Sequence, residues 1–148
     1  MQLWKQMSPQ TGSLPVIPFA EPDRVALVAL WRACDLTGPD IERSIDFALG
    51  RDHTALLVGK SAGELVASVM VGHDGHVGLL YFVAVDPAHR GKGWGRAVMQ
   101  EAESWLAARG VWRGSLMIRH ENAKVAGFYA RLGWGTVPNI VMQKRLLP

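Results

Sequence analysis

The fold is decided by residues 81–96, which read Tyr81-Phe82-Val83-Ala84-Val85-Asp86-Pro87-Ala88-His89-Arg90-Gly91-Lys92-Gly93-Trp94-Gly95-Arg96. An apolar strand passes through an Asp-Pro turn into a glycine-spaced loop at the start of a helix. Glycine lets backbone N–H groups converge on an anion, and the N-terminus of a helix adds partial positive charge. Arg90, Lys92 and Arg96 add full positive charges. The segment therefore predicts a phosphate-binding loop that needs no metal.

The spacing of the glycines excludes two common nucleotide-binding loops. Gly91, Gly93 and Gly95 alternate with other residues, whereas a dinucleotide loop has the pattern G-x-G-x-x-G. A triphosphate loop ends in Gly-Lys-Ser/Thr, and no such triplet follows here. Neither a dinucleotide nor a nucleoside triphosphate is predicted.

Hydrophobic patterning on both sides of this loop predicts a mixed sheet. Strands are predicted near residues 14–19, 55–58, 65–71, 77–85, 115–118 and 140–142, and helices over 22–35, 37–50, 93–109 and 122–133. Thr37 and Asn122 are the predicted caps of the second and last helices. The order β-α-α-β-β-β-α-β-α-β indicates an α/β fold with a mostly antiparallel central sheet and helices on both faces.

Composition narrows the class of protein further. The chain has 148 residues, 49% of them hydrophobic, a length and composition that suit one domain. Its net charge of +3 favours an anionic partner. No apolar run is long enough to span a membrane, and the start does not resemble a secretory signal, so we expect an unprocessed cytoplasmic protein with no membrane partner. We expect residues 1–13 to be frayed, and the single cysteine, Cys34, to be a small core residue.

Two other features have ordinary structural explanations. His73-Asp74-Gly75-His76 lies between two predicted strands, which favours a hairpin turn over a metal site, so no metal is predicted. The basic residues outside the loop are dispersed along the chain, and this pattern is more typical of a solvated surface than of a nucleic-acid interface. We therefore predict no nucleic-acid partner.

The loop resembles the pyrophosphate loop of the GNAT superfamily of N-acetyltransferases. That family's pattern Arg/Gln-x-x-Gly-x-Gly/Ala is met by Arg90, Gly93 and Gly95. The preceding Val-x-Pro strand end is present in residues 83–87, and residues 122–134 resemble the family's Asn-x-x-Ala-x-x-Phe-Tyr-x-x-x-Gly-Phe. The resemblance implies a single acetyltransferase domain over residues 1–148, with a cofactor-binding core at about 77–132.

The resemblance also implies how acetyl-coenzyme A, the acetyl donor, is held. In this family, backbone amides of the loop bind the pyrophosphate and the preceding strand binds the pantetheine arm. The corresponding residues here are Val83, Val85, Arg90, Gly91, Lys92, Gly93, Trp94, Gly95 and Arg96, with Asn122 as a further contact to the pantetheine arm. Trp94 stands where the family usually has an aliphatic residue, and we interpret it as a core residue of the helix rather than a lid.

The implied reaction is direct transfer of the acetyl group to a primary amine of a small molecule or peptide. The Val83 amide is the candidate donor to the thioester carbonyl, and Tyr129 is the candidate acid for the coenzyme A sulfur. Family members that acetylate protein N-termini have a glutamate where this chain has Met117. The general base therefore stays open among Tyr81, His120, Glu121, Glu64 and a chain of waters. A non-catalytic acyl-coenzyme A sensor is the alternative function, and a homodimer is compatible with either.

Overall fold

A computed structural model describes residues 14–148, so the expected fraying of residues 1–13 lies outside the described residues. The chain divides into two compact units, Met1–Met117 and Ile118–Pro148. The first unit contains the sheet and three α-helices, and the second contains a 3₁₀ helix followed by one short α-helix. Each unit is described by itself below, and the single domain over residues 1–148 stays a prediction.

The first unit is built on a five-stranded sheet in the order β1-β2-β3-β4-β5. The strands are β1 (Val16–Pro18), β2 (Thr54–Ser61), β3 (Glu64–His73), β4 (Gly78–Val85) and β5 (Gly114–Leu116). The first four pair antiparallel, and β5 pairs parallel to β4. This confirms the predicted mixed, mostly antiparallel sheet.

Three helices cover this sheet: α1 (Arg24–Ala33), α2 (Ile41–Ala48) and α3 (Trp94–Ala107). Trp31 of α1 and Ile45 of α2 pack in one core cluster with Leu56 of β2. A Cβ atom added at Gly78 would meet the side chain of Leu106 of α3 at 2.6 Å. Leu56 of β2 pairs with Met70 of β3, whereas Gly78 of β4 pairs with His73 of β3. Side chains alternate along a strand, and Met70 and His73 are an odd number of residues apart, so Leu56 and Gly78 lie on opposite faces of the sheet. The helices therefore cover both faces, as predicted.

Three local predictions are wrong. Thr37 caps no helix, because α2 begins at Ile41 after a turn; the residue before Pro39 is disfavoured in helical conformation, which delays the start. Asn122 is not a cap either: it lies inside a 3₁₀ helix, His120–Val125, with non-helical backbone angles, and α4 (Ala126–Arg131) follows. Residues 140–142 form no strand. They are exposed, and three apolar residues without a paired neighbour cannot offset the entropy of ordering a strand.

No helix within residues 14–148 combines the length and the apolar character needed to cross a membrane.

Candidate active site

The loop between β4 and α3 has the conformation that its glycines predict. Pro87–His89 form a short 3₁₀ turn, which Asp86 stabilises by accepting a hydrogen bond from the Ala88 N–H at 2.9 Å. Gly91 and Gly93 then adopt left-handed backbone angles, with φ of 81° and 80°. Beyond the adjacent residues, no atom lies within 4 Å of a Cβ added at either glycine. The loop therefore turns sharply and faces open space.

The backbone N–H groups of this loop are available to a ligand. Within the described part of the chain, no backbone carbonyl accepts a hydrogen bond from the N–H groups of residues 90–96. They precede and begin α3, a helix of 14 residues whose first N–H groups have no intrahelical partner. Arg90, Lys92 and Arg96 are exposed around them. Open N–H donors, a helix N-terminus and three cations fit the diphosphate of an acyl-coenzyme A.

Strand β4 is irregular where it approaches this loop. Ser68 of β3 pairs with Ala84, and Met70 pairs with Tyr81, so two β4 residues, 82 and 83, stand opposite one residue of β3. This is a β-bulge. Phe82 has a φ of 51°, which costs a bulky residue about 1–2 kcal/mol. The surrounding contacts must therefore hold Phe82 in this conformation.

The bulge coincides with a split in the sheet. The parallel pairing of β4 with β5 ends at Leu80 and Leu116, and no later residue of β4 pairs with β5. Val83 consequently has a strand partner on neither side. The strands therefore separate at the residue whose amide is the candidate donor to the thioester carbonyl.

Comparison with known proteins agrees with this geometry. The family described as the acetyltransferase (GNAT) family matches residues 24–134, which is most of the chain. The chain belongs to this family. It is an acyltransferase enzyme, which argues against the alternative of a non-catalytic sensor.

Relatives of the acetyltransferase match along nearly their whole length. A protein named acetyltransferase from Pectobacterium atrosepticum is 40% identical over 131 residues, which cover 87% of this chain and 93% of the relative. A protein of Yersinia pestis named as an uncharacterized N-acetyltransferase is 37% identical with the same coverage. These relatives support the enzyme class and name no substrate.

Solved structures match the fold. A putative acetyltransferase from Agrobacterium tumefaciens has a TM-score of 0.77 and 16% identity, covering 89% of this chain and all of that chain. An aminoglycoside 6′-N-acetyltransferase from Acinetobacter haemolyticus has a TM-score of 0.73 and 16% identity, covering 91% of this chain and 100% of that one. The PaiA N-acetyltransferase of Thermoplasma acidophilum, solved with coenzyme A, has a TM-score of 0.73 and 14% identity, covering 86% and 93%. At these identities the likeness shows the fold alone.

Trp94 of the acetyltransferase is not the core residue that its spacing predicts. Its side chain is half-buried, and its ring stacks on His89 with centroids 5.2 Å apart. The Lys92 ammonium lies 5.1 Å from the Trp94 ring centroid, within the range of a cation–π interaction. Trp94 is in phase with the buried face of α3, but it sits in the first turn, where the neighbouring loop takes the place of the core. It therefore packs against the loop.

Val85 is hydrogen-bonded to the residue that follows α1. The Cys34 thiol donates a hydrogen bond to the Val85 carbonyl at 3.3 Å, and an Arg90 nitrogen lies 3.9 Å from the same sulfur. Burial raises the pKa of Cys34, which leaves the thiol protonated at neutral pH. Cys34 directly follows the last residue of α1 and packs against the core. Cys34 therefore lies half-buried at the edge of the core, rather than inside it as predicted.

The second unit contains the two remaining predicted site residues. Asn122 is exposed in the 3₁₀ helix, and Tyr129 is half-buried on α4. The Tyr129 ring meets Phe128 edge to face, with centroids 5.0 Å apart. Burial raises the pKa of Tyr129 above its ordinary value. The phenol is protonated at neutral pH even at its ordinary pKa, and burial makes it a weaker acid than an exposed tyrosine.

The candidates for the general base stay open. Tyr81 and Met117 are exposed by 40% and 43%, and Tyr81 directly precedes the bulge. Glu64 is exposed at the beginning of β3, whereas His120 and Glu121 are exposed in the second unit. Neither exposure nor pairing favours one of these groups over the others.

The His73–His76 segment of the acetyltransferase forms the predicted hairpin turn. The Asp74 carboxylate accepts hydrogen bonds from the backbone N–H groups of His76 and Val77 at 2.8 and 2.9 Å. Both bonds close the connection between β3 and β4.

Sequence reasoning missed the groups that hold the bulge. The Ser68 hydroxyl accepts a hydrogen bond from the Trp31 indole N–H at 2.9 Å and donates one to the Phe82 carbonyl at 2.8 Å. One signal could have indicated this contact, because Ser68 is the only polar residue in the apolar run 65–71. A buried hydroxyl within a strand needs hydrogen-bond partners, and here one of them is Phe82 of the bulge.

Proposed function

We propose that this acetyltransferase moves the acetyl group of acetyl-coenzyme A to a primary amine of a small molecule or peptide. The observation that carries the proposal is the loop of residues 90–96, where open backbone N–H groups precede α3. Coenzyme A is a diphosphate that such a loop can bind without a metal. Structural neighbours of the same fold include proteins named as aminoglycoside acetyltransferases, one of them a 6′-N-acetyltransferase, and the acceptor nitrogen is proposed by analogy with them.

Val83 is proposed to polarise the thioester. Val83 pairs with neither β3 nor β5, and Val85 continues the same strand towards the loop. A backbone donor fixed beside the carbonyl stabilises the negative charge that develops on oxygen when nitrogen attacks carbon. Such a donor requires no particular side chain, so its identity follows from the backbone path alone.

Tyr129 is proposed to protonate the leaving sulfur. As the new C–N bond forms and the C–S bond breaks, the thiolate takes the phenolic proton, and the attacking nitrogen loses a proton to a base or to water. A protonated phenol is required at the start of this step. A tyrosine phenol meets this requirement at neutral pH even at its ordinary pKa, so the proposal for Tyr129 rests on its position in the family motif. Asn122 is proposed to contact the pantetheine arm.

The acceptor must lose a proton before it attacks. A lysine amine with a pKa near 10.4 is neutral in about one molecule in a thousand at pH ~7.4, whereas an α-amine near 8 is neutral in roughly a fifth. Met117 supplies no carboxylate at the position where N-terminal acetyltransferases of the family have glutamate. Unless one of the other candidate bases takes this proton, acceptors whose amines have low pKa values are favoured.

A binding and turnover experiment tests the proposal. Calorimetric titration should show acetyl-coenzyme A binding, and a panel of amines should reveal acceptors through release of free coenzyme A thiol. The panel should pair amines of similar shape whose pKa values differ by about two units. Absence of acetyl-coenzyme A binding at millimolar concentration would refute the proposal.

A further inference from the structure

We propose that Trp31 and Ser68 are positioning residues for acetyl transfer, because they hold the β4 bulge in the shape that leaves Val83 unpaired. The inference rests on the proposed function, since it concerns the donor that the thioester would meet. Neither side chain belongs to the loop, to the Asn122 motif or to the candidate acid and bases. Their effect would pass entirely through the backbone of residues 82 and 83.

Ser68 is the centre of the arrangement. Its side chain is fully buried, and its single hydroxyl proton goes to the Phe82 carbonyl at 2.8 Å. The same oxygen accepts the indole N–H of Trp31 at 2.9 Å. Because that bond occupies a lone pair, the hydroxyl proton is left to point at Phe82, and it cannot turn to another acceptor without losing a buried bond.

Trp31 holds the side chain of the same bulge residue. Its ring is fully buried and stacks on the Phe82 ring, with centroids 3.9 Å apart and an interplanar angle of 16°. Phe82 is therefore contacted at its ring by Trp31 and at its carbonyl by Ser68. These two contacts oppose the return of Phe82 from its left-handed conformation to an ordinary strand conformation.

The position of Val83 follows from that restraint. The peptide between Phe82 and Val83 includes the carbonyl that Ser68 holds and the N–H proposed to meet the thioester, and its atoms move together because a peptide bond is planar. The strand register does not fix this peptide, since neither residue pairs with β3 or β5. The contacts with Trp31 and Ser68 fix its orientation instead.

A spectroscopic experiment separates positioning from simple core packing. The enzyme is loaded with acetyl-coenzyme A that carries ¹³C at the thioester carbonyl, and the bound carbonyl shift is measured by NMR. In the unsubstituted protein we expect a downfield shift on binding, because a hydrogen bond polarises the carbonyl. Ser68→Ala should lose most of that shift, while its acetyl-coenzyme A affinity changes by less than about threefold.

A second variant and a matched control complete the design. Trp31→Phe keeps an aromatic ring and removes the indole N–H, so it should also reduce the carbonyl shift. This variant provides the test if Ser68→Ala does not fold. Ile45→Val truncates a fully buried side chain of the same core cluster. An isoleucine side chain forms no hydrogen bonds, so this change removes none from the bulge. It should retain the full shift although it also lowers stability.

Kinetics on an accepted amine should follow the spectroscopy. Ser68→Ala should lower kcat about tenfold or more with little change in KM for acetyl-coenzyme A, because the lost orientation matters mainly in the transition state. A carbonyl shift and kcat that match those of Ile45→Val would overturn the proposal. So would an unsubstituted enzyme that binds acetyl-coenzyme A without any downfield shift. Failure of the proposed function is distinguishable, because the unsubstituted enzyme would then not bind acetyl-coenzyme A.

Discussion

Replacing Gly93 by alanine tests the loop most directly, because the chain contains a matched control. Gly93 and Gly110 have nearly equal φ angles of 80° and 78°, and beyond the adjacent residues no atom lies within 4 Å of a Cβ added at either one. Gly93 directly precedes α3, and Gly110 lies shortly after its end. The two substitutions therefore impose the same backbone strain at opposite ends of one helix.

The two variants should lose similar stability and differ in binding. Alanine in the left-handed region costs about 1–2 kcal/mol, so both free energies of unfolding should fall by about that amount. At Gly93 the methyl group also enters the open space beside the N–H donors. A hydrogen bond to a charged group is worth about 1.5–3 kcal/mol, so losing one weakens acetyl-coenzyme A binding by about tenfold or more.

Urea unfolding and calorimetric titration measure these two quantities. The expected pattern is equal destabilisation, with Kd for acetyl-coenzyme A raised only in Gly93→Ala. Unchanged affinity in Gly93→Ala would show that the diphosphate does not lie against this loop. Equal loss of affinity in Gly110→Ala would show that the effect comes from global destabilisation, and the reasoning from open N–H groups would fail.

Three further outcomes are expected. Tyr129→Phe should lower kcat about tenfold or more and leave the Kd for acetyl-coenzyme A unchanged, as measured by thiol release and calorimetry; an unchanged kcat would exclude Tyr129 as the acid. Burial raises the pKa of Asp23, but hydrogen bonds from Lys60, at 2.6 Å, and from the Ala20 N–H outweigh it, so the pKa lies below its usual value. The carboxylate therefore stabilises the fold above pH about 4, and the advantage over Asp23→Asn in urea unfolding should shrink as the pH falls below that value; a constant difference would contradict this. Gly78→Ala should lower the urea midpoint by the equivalent of about 1–3 kcal/mol, because its methyl group would overlap Leu106; no loss would mean that the α3 contact relaxes freely.

The elements that the sequence predicts correctly are those with a local signal. The loop is visible because glycine at Gly91 and Gly93 is required by the backbone itself, and the hairpin at residues 73–76 is visible from its turn residues. The prediction that Trp94 is a core residue is wrong because helical phase indicates the face on which a residue lies, and not which part of the protein covers that face. In the first turn of α3, the cover is His89 of the loop rather than the core.

The last predicted strand fails for a different physical reason. Residues 140–142 are apolar, and a short apolar run is compatible with a strand only where another strand is available to pair with it. Ile140 and Met142 are exposed by 91% and 89%. Periodicity describes the run itself and contains no information on a pairing partner, so the error could not be corrected from the sequence.

The bulge depends on contacts that no local pattern could reveal. Trp31 and Cys34, three residues apart at the end of α1, contact Phe82 and Val85, three residues apart on β4. The helix and the strand are separated by about fifty residues of sequence, so neither pattern predicts the other. Because both ends of the irregular segment are contacted by one helix end, a shift of α1 would move the Phe82–Val83 peptide. The end of the first helix would therefore take part in the geometry of the proposed thioester site, although none of its residues belongs to a family motif.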